Sequence, residues 1–123
     1  MKFNPRLRAD MDKFIDYVII VEGEKDAKKF REMGFQRVYS INEDNVPFQQ
    51  RIINIANTLD KKDRICILTS FDKNGKQLSI EIKERFLQLG VKTDSGLRGL
   101  MIKKGVRDMP GIIDFMQKVS QIA

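Results

Sequence analysis

The chain of 123 residues contains no histidine. Histidine is the usual general acid or base near neutral pH, and it completes the common Ser–His–Asp and Cys–His nucleophilic sites and the usual zinc sites. The sequence therefore argues against these kinds of chemistry. A catalytic or binding site in this chain would need carboxylates, lysine, backbone dipoles or a metal ion that prefers oxygen ligands.

Cysteine occurs once, at Cys66, so the chain cannot form an internal disulfide. Cys66 stands inside an apolar run, and a thiol in apolar surroundings is usually an inert core residue. We therefore expect Cys66 to be a small buried side chain rather than a reactive one.

Long hydrophobic runs are also missing, and none approaches the roughly 20 residues that a membrane-spanning helix needs. The start, residues 1–6, leads into a charged stretch and is not typical of a signal peptide. The hydrophobic share of 41% and the charged share of 33% are typical of one soluble globular domain. We expect a cytoplasmic protein with no membrane partner.

Basic residues outnumber acidic ones, 23 to 17, which gives a formal net charge of +6. This charge is compatible with a polyanionic partner such as nucleic acid, although many basic proteins bind nothing acidic. Few aromatic residues stand among the basic ones, so the sequence gives little support for base stacking.

Two apolar runs, residues 18–21 and 65–68, predict strands that are buried on both faces of a helix-covered sheet, because neither alternates with polar residues. Shorter strands are expected at 37–40 and 91–93. Helical periodicity predicts six helices, over about 6–16, 25–33, 47–59, 76–89 and 95–104, and from 110 onward.

This alternation of helices and strands predicts an α/β fold with a mainly parallel sheet of about four strands, covered by helices in three layers. We divide the chain into a core over 17–94, an N-terminal helix extension over 1–16, and a C-terminal helical part of the same domain over 95–123.

A carboxylate follows each of the two apolar strands. Glu22 comes after the first and Asp72 after the second, and ligands of open α/β sheets bind at this carboxyl edge. If the strands are parallel neighbours, the two acids meet there and can share Mg²⁺, which prefers hard oxygen ligands and tolerates few protein ones. Residues 72–75 are also a good turn sequence, so a purely structural role stays open.

Further polar residues flank the same loops. Asp26 is either a charge at a helix N-terminus or a support for the site. Lys25, Lys73 and Lys76 are either solvated or in contact with phosphates. A basic cluster near the end is either a solvated face or a track for a nucleic-acid backbone, and it consists of Arg98, Lys103, Lys104 and Arg107.

The segments V-I-I-V-E-G-E-K-D, residues 18–26, and I-L-T-S-F-D-K-N-G-K, residues 67–76, resemble the Toprim domain. That domain is shared by type IA and type II topoisomerases, bacterial-type primases, RecR-like repair proteins and the ribonuclease M5 group. The similarity spans about 17–93, and it implies a Rossmann-like fold. In order and length the chain is most similar to small stand-alone Toprim proteins of archaea and bacteria, which are similar to ribonuclease M5.

The resemblance assigns roles to four residues. Glu22 matches the glutamate proposed as general acid or base, and Gly23 matches the glycine beside it. Asp72 matches the second aspartate of an Asp-x-Asp motif, which is a magnesium ligand in the family. Gly75 matches the glycine that opens the next helix.

Two positions depart from the family pattern. Ser70 stands where the first aspartate is expected, and Asn74 stands where topoisomerase-like members carry a further acid. Both side chains can offer an oxygen, but neither brings negative charge. The resemblance therefore implies weaker metal binding than is usual in the family, with Asn74 in a supporting place.

The resemblance leads to two hypotheses about function. In the first, the protein binds nucleic acid, RNA rather than DNA, and cleaves it as a ribonuclease M5-like endonuclease. Asp72 and Ser70, with Glu22, would hold Mg²⁺ or Mn²⁺, and Glu22 would handle the proton. In the second, the site is a weakened module that binds RNA or phosphate without turnover. The RNA target and the oligomeric state stay open.

Overall fold

The computed structural model describes the backbone of residues 14–120 and the side chains of residues 14–115 and 117. The predicted N-terminal helix over 6–16 lies almost wholly outside this range. Of that segment, residues 14–16 form a turn that leads into the first strand. The proposed division into an N-terminal extension, a core and a C-terminal helical part of the same domain stays a prediction.

The sheet is parallel, and its strand order is β2-β1-β3. The strands are β1 (Val18–Val21), β2 (Arg37–Ser40) and β3 (Ile65–Ile67). Ile19 in the central strand stands opposite Val38 on one side and Cys66 on the other. All residues of β1 and β3 are buried, which confirms that the apolar runs mark strands covered on both faces.

Five helices follow the strands in the described part of the chain. They are α1 (Glu24–Glu32), α2 (Phe48–Ala56), α3 (Lys73–Gln88), α4 (Gly96–Lys103) and α5 (Met109–Ser120). Helix α3 begins three residues before the predicted residue 76, because the Asp72 side chain caps it. No helix within residues 14–120 has the length and apolar character that crossing a membrane requires.

Alternate residues of β1 face two separate cores. Ile19 and Val21 pack on the side of α1, α4 and α5, whereas Val18 and Ile20 pack on the side of α2 and α3. The first core includes Phe30, Leu97 and Ile112, and the second includes Ile52 and Phe86. The fold therefore has the three layers that the alternating pattern predicts.

The predicted fourth strand at 91–93 is wrong: in the part of the chain that the structure describes, the sheet has three strands. The residue directly after this segment makes one backbone hydrogen bond to β3, from Asp94 N to Ile65 O at 2.7 Å. The Asp94 carboxylate then accepts a hydrogen bond from Gly96 N at 2.7 Å and turns the chain into α4. The segment ends before it can form a ladder.

Candidate functional site

Strands β1 and β3 end side by side. Ile20 pairs with Ile67, and Leu68 N donates a hydrogen bond to Ile20 O at 2.7 Å. The predicted adjacency of the two strands is confirmed. Glu22 directly follows β1, and Asp72 lies in the loop after β3, so both belong to what we call the carboxyl edge, residues 22–26 and 69–76. Their joint role in holding an ion stays a prediction.

The Asp72 carboxylate caps helix α3. Its Oδ1 accepts hydrogen bonds from Gly75 N at 2.7 Å and from Ser70 Oγ at 3.0 Å. These two donors, the Gly75 N–H first, lower the pKa of Asp72, so the group stays ionised at neutral pH. Residues 14–115 provide no hydrogen bond to Oδ2, and the side chain is exposed. Oδ2 is therefore available to a cation.

Gly75 lies directly against Ser70, and this contact explains why glycine stands there. A Cβ on Gly75 would lie 2.0 Å from Ser70 O and 2.3 Å from Ser70 Oγ. On the other side, Thr69 Oγ1 donates to Gly75 O at 2.6 Å. The first turn of α3 and the loop before it therefore form one closely packed unit.

Arg98 in α4 holds the same loop from the interior. Its Nη1 donates to Thr69 O at 2.6 Å, its Nη2 donates to Ser70 O at 3.0 Å, and its guanidinium carbon lies 4.5 Å from the centre of the Phe71 ring. Burial lowers the pKa of Arg98, and no salt bridge joins it to any carboxylate among residues 14–115. Arg98 is predicted from the sequence as a nucleic-acid contact. In the structure its guanidinium N–H groups instead donate to the loop and hold it in position.

The connection between α4 and α5 also reaches this loop. Phe71 N donates to Arg107 O at 3.2 Å, so the main chain of Arg107 lies at the carboxyl edge. Lys103, Lys104 and Arg107 are exposed, and Lys104 and Arg107 line one shallow cavity. Of the predicted basic cluster, these three side chains are open to solvent, whereas Arg98 is drawn inward.

The loop after β1 is held by its main chain. Glu22 O accepts from Asn42 N at 3.0 Å, and Gly23 O accepts from Ala27 N at 3.1 Å in the first turn of α1. Within residues 14–115 no hydrogen bond or salt bridge is formed by the partly exposed Glu22 side chain. Asp26 lies near Gly23, and a Cβ added to Gly23 would be 3.9 Å from Asp26 Oδ2. Asp26 also lines a cavity between α1 and α5.

A polar network beside Glu22 was not found by sequence reasoning. Glu24 forms a salt bridge with Arg31 at 2.6 Å and accepts a hydrogen bond from Ser40 Oγ at 3.1 Å. Arg51 donates to Ser40 O at 2.8 Å and pairs with Glu43 at 2.7 Å. Arg31 is the leading cause that lowers the pKa of Glu24. Glu24 and Arg31 are seven positions apart on α1, whereas ion pairs along a helix are expected at spacings of three or four residues, so no local sequence signal indicates this pair.

Exposed lysines surround the two loops. Lys25 lies in the first turn of α1, and Lys73, Asn74 and Lys76 lie in the first turn of α3. Within the described side chains, none of the three lysines forms a salt bridge. Contact between these lysines and phosphate groups stays a prediction.

The donor set fits Mg²⁺ held largely by water and phosphate. Among the described residues, no three acidic or thiol side chains are grouped so as to hold a metal ion. Mg²⁺ keeps several waters and typically uses one or two carboxylates together with substrate phosphates. Asp72 and Glu22 can supply those carboxylates. Ser70 can add an oxygen, but its hydroxyl proton points to Asp72.

The parallel three-layer fold, with carboxylates at one edge of its sheet, is typical of one class of protein. A comparison with protein families identifies that class. Residues 16–95 match the model of the Toprim domain, and the chain belongs to this family. Membership implies a nucleic-acid-related, metal-binding function. The resemblance carried by residues 18–26 and 67–76 is thereby confirmed.

Particular relatives come from archaea. A UPF0292 protein of Methanocaldococcus jannaschii is 28% identical over 105 residues, which cover 81% of this chain and 78% of that protein. A UPF0292 protein of Methanosarcina barkeri is 23% identical over a region that covers 83% of this chain and 71% of that protein. A solved structure of a protein from Aquifex aeolicus has a TM-score of 0.68 at 19% identity, over 89% of this chain and 97% of that one. It confirms the fold.

Proposed function

We propose that the protein binds RNA at the carboxyl edge of its sheet, with a weakly held Mg²⁺ or Mn²⁺ ion between the protein and the phosphate backbone. The observation that carries this proposal is the ionised Asp72, whose Oδ2 is open, in a loop beside the strand that leads to Glu22. Exposed Lys25, Lys73 and Lys76 can neutralise neighbouring phosphates. The resemblance to ribonuclease M5 supports RNA over DNA.

Binding without turnover fits the site better than cleavage does. Ser70 and Asn74 replace two acids of the family pattern, and the Ser70 hydroxyl donates to Asp72 rather than adding negative charge. Few carboxylates mean a weak ion site, so the phosphate itself must complete the coordination. Metal and RNA should therefore bind cooperatively.

The second candidate function is metal-dependent cleavage of RNA. It is favoured by Glu22, whose side chain has no hydrogen-bond partner among residues 14–115 and can accept or deliver a proton. A bound Mg²⁺ would stabilise negative charge on the phosphate and orient water. Asp72 would keep its place through the Gly75 and Ser70 hydrogen bonds.

The test compares wild type with Asp72→Asn. Asparagine keeps an oxygen for Gly75 N and Ser70 Oγ, so the cap survives while the negative charge is lost. In a Mn²⁺ titration followed by electron paramagnetic resonance, with and without a short single-stranded RNA, we expect RNA to tighten Mn²⁺ binding in wild type. Asp72→Asn should weaken Mn²⁺ binding by about tenfold or more. Unchanged Mn²⁺ affinity in a folded Asp72→Asn protein would overturn the ion site.

A gel of labelled RNA separates the two functions. If the bound RNA is cut with Mg²⁺ or Mn²⁺, and Glu22→Gln still binds it without cutting, the second candidate is correct. If wild type leaves the RNA intact and binds it in EDTA with reduced affinity, the binding module is correct. DNA of the same sequence serves as the matched ligand, and equal affinity for DNA would contradict the preference for RNA.

A further inference from the structure

A second basic surface lies at the opposite end of the sheet. Where β3 begins, a cavity of about 520 Å³ opens between the turn before the strand and the segment after α3. We call it the amino-edge groove. It is lined by Lys61, Lys62, Asp63, Arg64, Ile65, Lys92, Thr93 and Asp94.

The acids of this groove already have partners. Asp63 forms a salt bridge with Arg37 at 2.6 Å, and its other oxygen accepts from Asp60 N at 2.9 Å. Asp94 Oδ1 accepts from Gly96 N at 2.7 Å. Arg37 and the two backbone N–H groups thus occupy three of the four oxygens of these carboxylates. The two acids therefore neutralise little of the charge of the lysines that line the same groove.

The cations of the groove are unpaired within the described structure. The side chains of Lys61, Lys62, Arg64 and Lys92 are exposed, and none forms a salt bridge with residues 14–115 or 117. Four like charges around one concave surface repel each other, and an anion relieves that repulsion. The groove is therefore suited to a ligand with several negative charges.

A neighbouring cavity indicates which part of a ligand is recognised. An overlapping cavity extends along Leu59, Leu89 and Val91, which are apolar and carry no aromatic ring. A base has no ring to stack on there, so recognition must come from the backbone charges. This composition favours the phosphates of a nucleic-acid strand over a single nucleotide.

We infer that the amino-edge groove binds backbone phosphates of the same RNA that meets the carboxyl edge. This inference rests on the proposed function. A strand rises about 3.3 Å per residue, so the span from Arg64 to Ser70 is at most about 20 Å. At the roughly 3.4 Å spacing of phosphates along a stacked strand, about six nucleotides cover that distance, and an RNA that goes around the helices needs more.

The test uses two double variants that remove the same charge. Lys62→Gln with Lys92→Gln alters the groove, whereas Lys28→Gln with Lys83→Gln removes two exposed lysines from the middle of α1 and α3. Each double variant lowers the formal net charge of +6 by two. Affinity is measured by fluorescence anisotropy with single-stranded RNAs of about 4 and about 20 nucleotides, from about 0.05 to 0.3 M KCl.

For the long RNA, the groove variant should lower the slope of log affinity against log salt by about 1.4, because each lost phosphate contact on a single strand contributes about 0.7. Its affinity near 0.1 M salt should fall roughly 25-fold. The control pair should change the slope much less, and the short RNA should not distinguish the two variants. Lys61→Gln with Arg64→Gln provides a second groove variant if the first does not fold.

Equal losses in the groove and control pairs would overturn the inference, because net charge alone would then explain the effect. In that case the proposed function stands as long as wild type binds RNA and Asp72→Asn loses Mn²⁺. Absence of any RNA binding by wild type would overturn both. A groove variant that keeps wild-type Mn²⁺ binding and loses affinity for the long RNA alone supports the inference.

Discussion

The two ends of the sheet are built in opposite ways. At the carboxyl edge, Asp72, Ser70 and Gly75 are tied together by hydrogen bonds and close packing, and Arg98 fixes the loop from inside. At the amino edge, lysines such as Lys92 line an open groove without described partners. The first arrangement fixes atoms at defined positions, as coordination chemistry requires. The second supplies charge without fixed geometry, which suits a flexible polyanion.

Gly75→Ala should give the largest effect and tests how closely packed the carboxyl edge is. The added Cβ would lie 2.0 Å from Ser70 O, so the backbone must shift. We expect the free energy of unfolding to fall by about 3 kcal/mol, and Mn²⁺ binding to be lost with it. Thermal or urea unfolding measures the first effect, and the Mn²⁺ titration measures the second.

Gly99→Ala is the matched control for that substitution. Gly99 lies in helix α4, and a Cβ there would meet nothing within 4 Å. Alanine should therefore stabilise the protein by about 0.5–1 kcal/mol through helix propensity. If both alanine variants unfold alike, the close approach of Gly75 to Ser70 does not exist in solution.

Arg98→Met should give the next largest effect. It removes the donors to Thr69 O and Ser70 O and the stacking on Phe71, while it keeps an apolar chain of similar length. We expect a loss of about 2 kcal/mol of unfolding free energy. Mn²⁺ affinity should fall as well, because Ser70 and Asp72 lose their support from the interior.

Arg98→Lys distinguishes charge from geometry at this position. Lysine keeps the charge but cannot donate to two carbonyls with one rigid fork, so it should restore only part of the stability. Full restoration of both stability and Mn²⁺ binding would show that the charge alone is needed. The role of Arg98 as a positioning residue would then be wrong.

Acid pH provides a smaller test that reaches both edges. Gly75 N–H and Ser70 lower the pKa of Asp72, and the Asp60 N–H with Arg37 lowers the pKa of Asp63. A lowered folded-state pKa adds stability that is complete above the unfolded value of about 3.9 and is lost as the pH falls through the folded value. Urea unfolding at several pH values should show this decline.

Asp72→Asn and Asp63→Asn identify the groups responsible for the decline. Each should flatten the dependence of unfolding free energy on pH below about 4, because asparagine does not titrate. The slope between neutral pH and about 5 should stay as in wild type, since both carboxylates are ionised throughout that range. Wild-type slopes below about 4 in both variants would contradict these assignments.

Lysine substitutions at the amino edge should give the smallest effect on stability. Lys62→Gln and Lys92→Gln remove side chains without described partners, so the free energy of unfolding should change by no more than about 0.5 kcal/mol. The same variants should nevertheless reduce RNA affinity. A large loss of stability would show that these lysines have a structural role and would erase the contrast between the two edges.

The sequence predicted best the elements that depend on local pattern. The apolar runs of β1 and β3 locate the central strands because parallel strands covered on both faces need apolar residues throughout. The segment at 91–93 is Val-Lys-Thr and has only one apolar residue, so it lacks the continuous apolar run of β1 and β3. The Asp94 carboxylate directly after it accepts a hydrogen bond from Gly96 N where the chain turns into α4. Helix α3 begins at Lys73 because Asp72 is an N-cap, whereas the helical periodicity alone predicts a start near residue 76.

The candidate site was predictable for the residues that follow the strands, and not for those that support them. Glu22 and Asp72 are placed by topology, and topology follows from the alternation of helices and strands. Arg98 contacts Ser70, which is 28 positions away in the sequence, and no local pattern predicts such a contact. The pairing of Glu24 with Ser40 likewise depends on how α1 packs beside β2.

The sole thiol of the chain gives this domain a built-in reporter. Cys66 is fully buried in β3, and burial, followed by the charge of Asp94, raises the pKa of its thiol to about 12. An alkylating reagent can therefore modify it only when the sheet opens. The rate of modification in the native protein then measures how often the strand between the two edges becomes accessible, with no label or engineered residue needed.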